Sequence, residues 1–282
     1  MNRTLFALVF TLLWSAVWSQ NTDSLNFVNA KWNKTKANGK VKLYTCHFDS
    51  KNLFGANQYI SYVIVKKNKR KWGIAADPQK LITTSRFAKE HNAIAAVNGN
   101  FFNMKNGGSV DFTKVNGDVI NTNSLGKNRA RDFHQKAAVV VNKGSLSIQK
   151  WDGSANWEKE IDASDIMLNG PLLVHDGNTE KLDSGLFNTA RHPRTSVGVT
   201  RKGQIIMLVV DGRRDQSAGM SLFELTKVMR WLGCVDAINF DGGGSSTLWV
   251  RDKGVVNYPA DNRKWDHEGE RKVANILYLK KR

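Results

Sequence analysis

The stretch Asn239–Trp249 reads NFDGGGSSTLW: an acid, three glycines, then two serines and a threonine, between two strand-like runs. A tight turn needs one or two glycines at positive φ, so a third implies that something approaches the backbone closely. Bare N–H groups of Gly242, Gly243 and Gly244, with the hydroxyls of Ser245, Ser246 and Thr247, would line a polar concavity beside Asp241. A wide hairpin or bulge is the structural alternative. No Lys follows the glycines as a P-loop requires, and position 247 is Thr where a dinucleotide fingerprint needs Gly, so a nucleotide fold is not indicated.

A second acid-glycine corner, Asp211-Gly212-Arg213, follows the apolar run Ile205–Val210. It would bring a carboxylate and a guanidinium to the rim of a sheet. Two carboxylates at the ends of two buried strands could face one cleft, as glycosidic bond hydrolysis commonly requires. Each Asp could equally start a turn through its own backbone hydrogen bonds. Hard oxygen ligands at Asp211 and Asp241 would also suit Ca²⁺ or Mg²⁺, although no cofactor is required by this reading; no spaced His or Cys cluster supports zinc. Arg191-His192-Pro193-Arg194-Thr195 adds two guanidiniums and an imidazole, and the planar fork of Arg suits a phosphate. In Ala95–Phe102, an apolar run turns polar at Asn98-Gly99 and then presents aromatics, so Phe102 beside an amide could serve as a sugar platform. Glu224 follows Ser221 at capping-box spacing, which gives it a local structural role.

The elements that must hold these groups are strands. Hairpins are predicted over Val110–Ile120, Ala137–Trp151, Ser196–Val210 and Ser246–Tyr258, each turning on a Gly-containing loop, with only four prolines to interrupt them. Two helices stand out: Leu81–His91, and Ser221–Leu232 with its apolar residues at helical spacing and Gly233 as a stop. The expected class is α+β, mainly antiparallel twisted sheet with a few packed helices in one domain, residues 39–282. Polar, lysine-rich residues 20–38 read as a loose leading segment.

Residues 1–19 read as a secretory signal peptide: Arg3, an apolar stretch from Leu5, and Ser19 at the cleavage point. The stretch is shorter than the roughly twenty apolar residues of a membrane span, so no stable anchor is expected, and a secreted or periplasmic location is. Cys46 and Cys234 build no disulfide scaffold; they could pair in an oxidising compartment or stay as two buried thiols. The formal charge of +17 favours anionic partners. Secretion makes nucleic acid the weaker choice, leaving phosphorylated glycans or acidic lipids.

Read together, NGNFF at Asn98–Phe102, RHPRTSVG at Arg191–Gly198, VVDGR at Val209–Arg213, SLFELTKVM at Ser221–Met229 and AINFDGGGSST at Ala237–Thr247 resemble the phosphodiester glycosidase family, and YPAD and RKVAN extend the likeness towards the C-terminus. The resemblance, to a bacterial secreted member, implies hydrolysis of a sugar-1-phosphodiester to a free sugar and a phosphomonoester. It points to Asn98, Gly99, Arg194, Thr195, Asp211, Gly212, Glu224, Asn239, Asp241 to Thr247 and Arg271, and so raises Glu224 above its capping role. Arg194, Arg213 and Arg271 would neutralise the departing phosphate. Asp241 or Asp211 would act as base or nucleophile, with Asn98, Asn239 and the hydroxyls after the glycines holding the sugar. The competing expectation is a non-catalytic module that holds anionic cell-surface glycans through the same arginines and aromatics.

Overall fold

The computed structural model describes residues 22–37, 41–66, 71–124 and 130–280. Residues 1–19, expected to be a signal peptide, lie outside them. Among the described residues no helix is long and apolar enough to cross a membrane.

Among the described residues, three of the four antiparallel sheets share one core. The largest has eight strands, with Ala56–Val65, Ile205–Val210, Arg194–Thr200 and Cys234–Asn239 neighbouring in that order at its centre. A five-stranded sheet is centred on Ala93–Asn98 and Asn275–Lys280, and another on Ala137–Asn142 and Asp165–Asn169. Strand alternation assigns the two faces of the large sheet. Val63, Val65, Val197, Met207, Val209 and Ile238 point to the core shared with the other sheets. Ile60, Tyr62, Ile206, Leu208 and Val210 point the other way, where Leu222, Leu225, Val228 and Met229 cover them. Ile205–Val210 is therefore buried on both faces, which is why it reads as an unbroken apolar run rather than an alternation.

All four predicted hairpins form, with Asn116, Gly117, Lys143, Gly144, Gly203, Asp252 and Gly254 at positive φ in their turns. The helix Leu222–Trp231 begins on a complete Ser221–Glu224 capping box. The other helix is shorter than its pattern predicts, Thr84–Glu90, because Ile82–Thr83 pairs with Lys272–Val273. Residues 20–38, expected to be loose, are ordered where described. Residues 22–28 are helical, and Asn33–Ala37 pairs with Val41–Leu53. Phe27 is the reason: its ring packs on Trp32, Phe48 and Trp231 and pins an otherwise polar segment to the back of the sheet. Both cysteines are free thiols, and burial pushes Cys234 up to about 12 and Cys46 up to about 11.

Candidate active site

Antiparallel pairing gathers the sequence motifs at one end of the large sheet. Arg194, at the start of its strand, lies opposite Val210, the residue before Asp211; Ser196 lies opposite Asn239, two residues before Asp241. The neighbouring sheet contributes Asn98 at the end of Ala93–Asn98. Its amide nitrogen donates to the Asp241 carbonyl (2.7 Å), and its amide oxygen accepts from Thr195 Oγ1 (2.8 Å) and the Thr247 N–H (3.1 Å). The Asp241 N–H in turn donates to the Gly99 carbonyl (3.1 Å). One buried amide thus clasps the loop to two sheets. Asn98 and Thr195 are structural clamps, with both Asn98 polar atoms engaged inside the protein.

Asp241 sits at the partly exposed centre of this end. Burial pushes its carboxyl up to about 6, against the opposing pull of the Ser245 hydroxyl beside it, Arg271, the Gly242 N–H and Arg213. Around it the hydroxyls of Ser246 and Thr247, the Asn239 amide oxygen and His192 Nδ1 are all buried and make no hydrogen bond among the described residues. Asn239 does use its amide nitrogen, on the Gly170 carbonyl (3.0 Å). A buried polar group left unpaired costs about 1–3 kcal/mol, so four in one place mark a surface built to meet a polar ligand.

The positive groups are arranged unequally. Arg194 is 1% exposed and donates to the Met220, Phe187 and Ala190 carbonyls at 2.6–3.0 Å, with its guanidinium over the Phe187 ring. No carboxylate pairs with it, and burial followed by the Arg213 charge lowers it to about 10. Arg271 is paired with Asp261 (2.5 Å). Arg213 is exposed, at φ 63°, and has neither hydrogen bond nor ion pair from its side chain among the described residues. The same two arginines, after burial, depress His192. Arg194 and Arg213 therefore supply positive charge with no negative side chain spent on either, which is a local field for an anion.

The three glycines have three separate causes. A Cβ on Gly242 would come within 2.7 Å of the Pro193 carbonyl oxygen. Gly243 has φ 61°, and a Cβ there would meet Arg213 Nη2 at 3.0 Å. A Cβ on Gly244 would collide with the Arg271–Asp261 pair. The protein's own backbone and guanidiniums occupy the space where the sequence suggests substrate. Gly99 and Gly212 are bare likewise, against the Asn275 side chain and against Pro193 and Gly219.

Asp211 is satisfied inside the protein rather than open to a cleft. Its carboxylate is fully buried and accepts from Asn257 Nδ2 (2.7 Å) and the Tyr258 N–H (2.9 Å), bracing the segment that leads to Asp261. Burial pushes it up to about 7, and no second carboxylate contributes. Glu224 completes the capping box and pairs with Arg191 (2.5 Å), so its oxygens are spent. Phe102 packs on a satellite core with Ala75 and Trp249. The aromatic that faces the site region is its neighbour Phe101, in contact with Phe133, His134 and Phe187. Sequence reading overlooked Phe101, Phe187 and Asp261; strand parity could have warned that Phe101 and Phe102 point to opposite sides.

Whole-chain superposition gives the fold a place. It resembles the catalytic domain of zebrafish N-acetylglucosamine-1-phosphodiester alpha-N-acetylglucosaminidase auto-inhibited by pro-peptide, with a TM-score of 0.66 over 94% of this chain and 93% of that one at 18% identity. A hypothetical protein from Synechocystis matches with a TM-score of 0.60 over 88% of this chain and 63% of that one at 15% identity. The phosphodiester glycosidase family model matches residues 91–280, and the chain belongs to that family. Among curated relatives, the bovine N-acetylglucosamine-1-phosphodiester alpha-N-acetylglucosaminidase is 28% identical over 64% of this chain and the human one 27% identical over the same share. The chain spans about a third of their length, 35% and 36%.

Proposed function

We propose that the protein is a secreted or periplasmic hydrolase that cleaves a sugar-1-phosphodiester into a free sugar and a phosphomonoester. Family membership supports glycosyl phosphodiester hydrolysis in general, and the observation that carries the reading to this chain is the positive charge of Arg213 and of the buried Arg194, neither paired with a carboxylate, beside Asp241. As the bond between the anomeric carbon and the phosphate oxygen breaks, negative charge collects on the phosphate and positive charge on the sugar. Arginines fixed in advance at the first and a carboxylate at the second lower the barrier without reorganisation. Asp241 faces the anomeric carbon, Arg213 faces the phosphate with the buried Arg194 adding its charge from behind, and the Ser245, Ser246, Thr247 and Asn239 oxygens meet sugar hydroxyls. The mechanism as drawn uses no cation, so chelator-treated protein is expected to keep its activity.

Incubating the purified protein with a panel of sugar-1-phosphodiesters in H₂¹⁸O and following both products tests this reading. The expected result is ¹⁸O in the released sugar. Label in the phosphate would show attack at phosphorus instead, and binding across the panel with no sugar released would make the protein a glycan-holding module.

A further inference from the structure

Beside the Asp241 corner lies a second buried acid that the reaction above does not use. Asp111 is wholly buried, and its Oδ2 sits 2.7 Å from His134 Nδ1 while Oδ1 accepts from Gln135 Nε2 (2.9 Å). A carboxylate only accepts, so Nδ1 carries the proton and Nε2 presents its lone pair. Nε2 makes no hydrogen bond among the described residues; the nearest acidic oxygen, Asp132 Oδ2, is 3.7 Å away, and the His134 side chain keeps 16% of its surface exposed. Phe101 (4.9 Å between ring centres) and Phe133 (5.0 Å) wall the imidazole on two sides.

Two backbone links tie this pair to the proposed site. Gly170 packs so closely on it that a Cβ would lie 3.0 Å from the His134 Cα, and the Gly170 carbonyl is the acceptor for Asn239, two residues before Asp241. Phe101 is two residues beyond Gly99, whose carbonyl takes the Asp241 N–H, and its ring also meets Phe187, under the Arg194 guanidinium. The charges around the imidazole are thus Asp111, Asp132 and, beyond the Phe187 ring, Arg194.

We infer that His134 is the general base of the hydrolysis and Asp111 its positioning residue, an inference that rests on the proposed reaction. Water oxygen bonds to the anomeric carbon as the carbon–oxygen bond to phosphate breaks and its electron pair leaves with the phosphate oxygen. His134 Nε2 takes the proton from that water, and the imidazolium afterwards gives it up to solvent. Asp111 holds the ring in the tautomer that can accept and stabilises the imidazolium that forms, the role a buried acid plays behind a catalytic imidazole elsewhere.

The test combines pH–rate profiles on a sugar-1-phosphodiester with ¹⁵N NMR of histidine-labelled protein, for wild type, His134→Gln and Asp111→Asn. His134→Gln is expected to lower kcat by about 10²–10⁴-fold with little change in KM. The acid side of the profile should fall by two protons in wild type and by one in this variant. Asp111→Asn loses the charge and must set its NH₂ against either His134 Nδ1 or Gln135 Nε2; facing Nδ1 it turns the ring to the other tautomer, so its kcat should fall about as far as that of His134→Gln. The NMR spectrum of the wild type should show His134 protonated on Nδ1, a readout that needs neither turnover nor a stable variant. A wild type that turns over while His134→Gln keeps its kcat and profile overturns this inference alone. So does a His134 protonated on Nε2. A wild type that hydrolyses no sugar-1-phosphodiester overturns it together with the proposed reaction.

Discussion

Asp211 and Asp241 stand at the same end of the large sheet, each following a buried strand and each followed by glycine, and their surroundings differ in kind. The Asp211 carboxylate is met by two protein donors, one on each oxygen, and by no positive charge. Asp241 is partly exposed, with Arg271 and Arg213 acting on it and unpartnered hydroxyls beside it. Burial raises both carboxyls, so a raised pKa does not tell them apart. What does is whether the groups around the acid are already satisfied by the protein. A saturated acid is a brace, and one surrounded by unspent donors is a place where a ligand completes the set.

The largest effect that could break this contrast is on turnover. Asp241→Asn is expected to lower kcat on a sugar-1-phosphodiester by about 10²–10⁴-fold, while the melting temperature holds or rises because a partly desolvated charge has been removed. Asp211→Asn should do the reverse. Its new NH₂ must face either Asn257 Nδ2 or the Tyr258 N–H, donor against donor, at a cost of about 1–3 kcal/mol, with activity lost only as folded protein is lost. Equal behaviour of the two variants, in turnover and in melting, would erase the distinction.

Arg213→Ala sharpens the contrast on the positive side. The side chain has no hydrogen bond or ion pair to lose, so the stability should stay within about 0.5 kcal/mol of wild type, the range for surface changes. Yet kcat/KM should fall by about 10²–10³-fold if the guanidinium meets charge that develops in the transition state. Glu224→Gln is the matched control: Gln still completes the box with Ser221 but loses the charge that pairs with Arg191, so stability should drop by about 0.2–1 kcal/mol, with kcat per folded molecule preserved.

Linkage gives Asp211 a signature of its own. Its folded value of about 7 lies above the ordinary 3.8, so between those values the folded chain holds a proton the unfolded chain has released. The stability that this site contributes is complete below about pH 4 and declines as pH rises through about 7. Chemical denaturation across that window should show a decline in wild type that Asp211→Asn flattens. An unchanged slope would mean that Asp211 is not buried as a titrating acid.

The sequence carried the sheets well because each hairpin announces itself twice, through alternating or apolar strands and through turn residues such as Asn116-Gly117. It also carried the gathering of Arg194, Asp211, Asn239 and Asp241, since each sits at the end of a strand-like run. Orientation was not legible. Asn98 looks like a sugar ligand until its amide is seen holding Thr195, Thr247 and Asp241. Phe102 rather than Phe101 looks like the platform, because one residue of strand phase decides which side a ring takes. Asp111 and His134 are 23 residues apart and fit no motif, and only the fold brings them together.

The smallest expected effect probes the glycines. Gly243 is in the left-handed region, so Gly243→Ala should cost roughly 1 kcal/mol from backbone strain alone, or a few degrees of melting temperature. Gly117, at φ 94° in a hairpin with open space where a Cβ would go, should lose about as much on the same substitution and so calibrates the strain. The two glycines differ in what the methyl group meets. At position 117 it meets nothing, and at 243 it meets Arg213 Nη2, the far end of a flexible side chain that can move aside. Gly117→Ala should therefore leave KM and kcat untouched. Gly243→Ala, equally destabilised, should lose kcat/KM by part of what Arg213→Ala loses, and the double variant Gly243→Ala with Arg213→Ala should be no worse than Arg213→Ala alone. Additive losses in the double variant would mean that the methyl group acts on substrate directly rather than through the arginine.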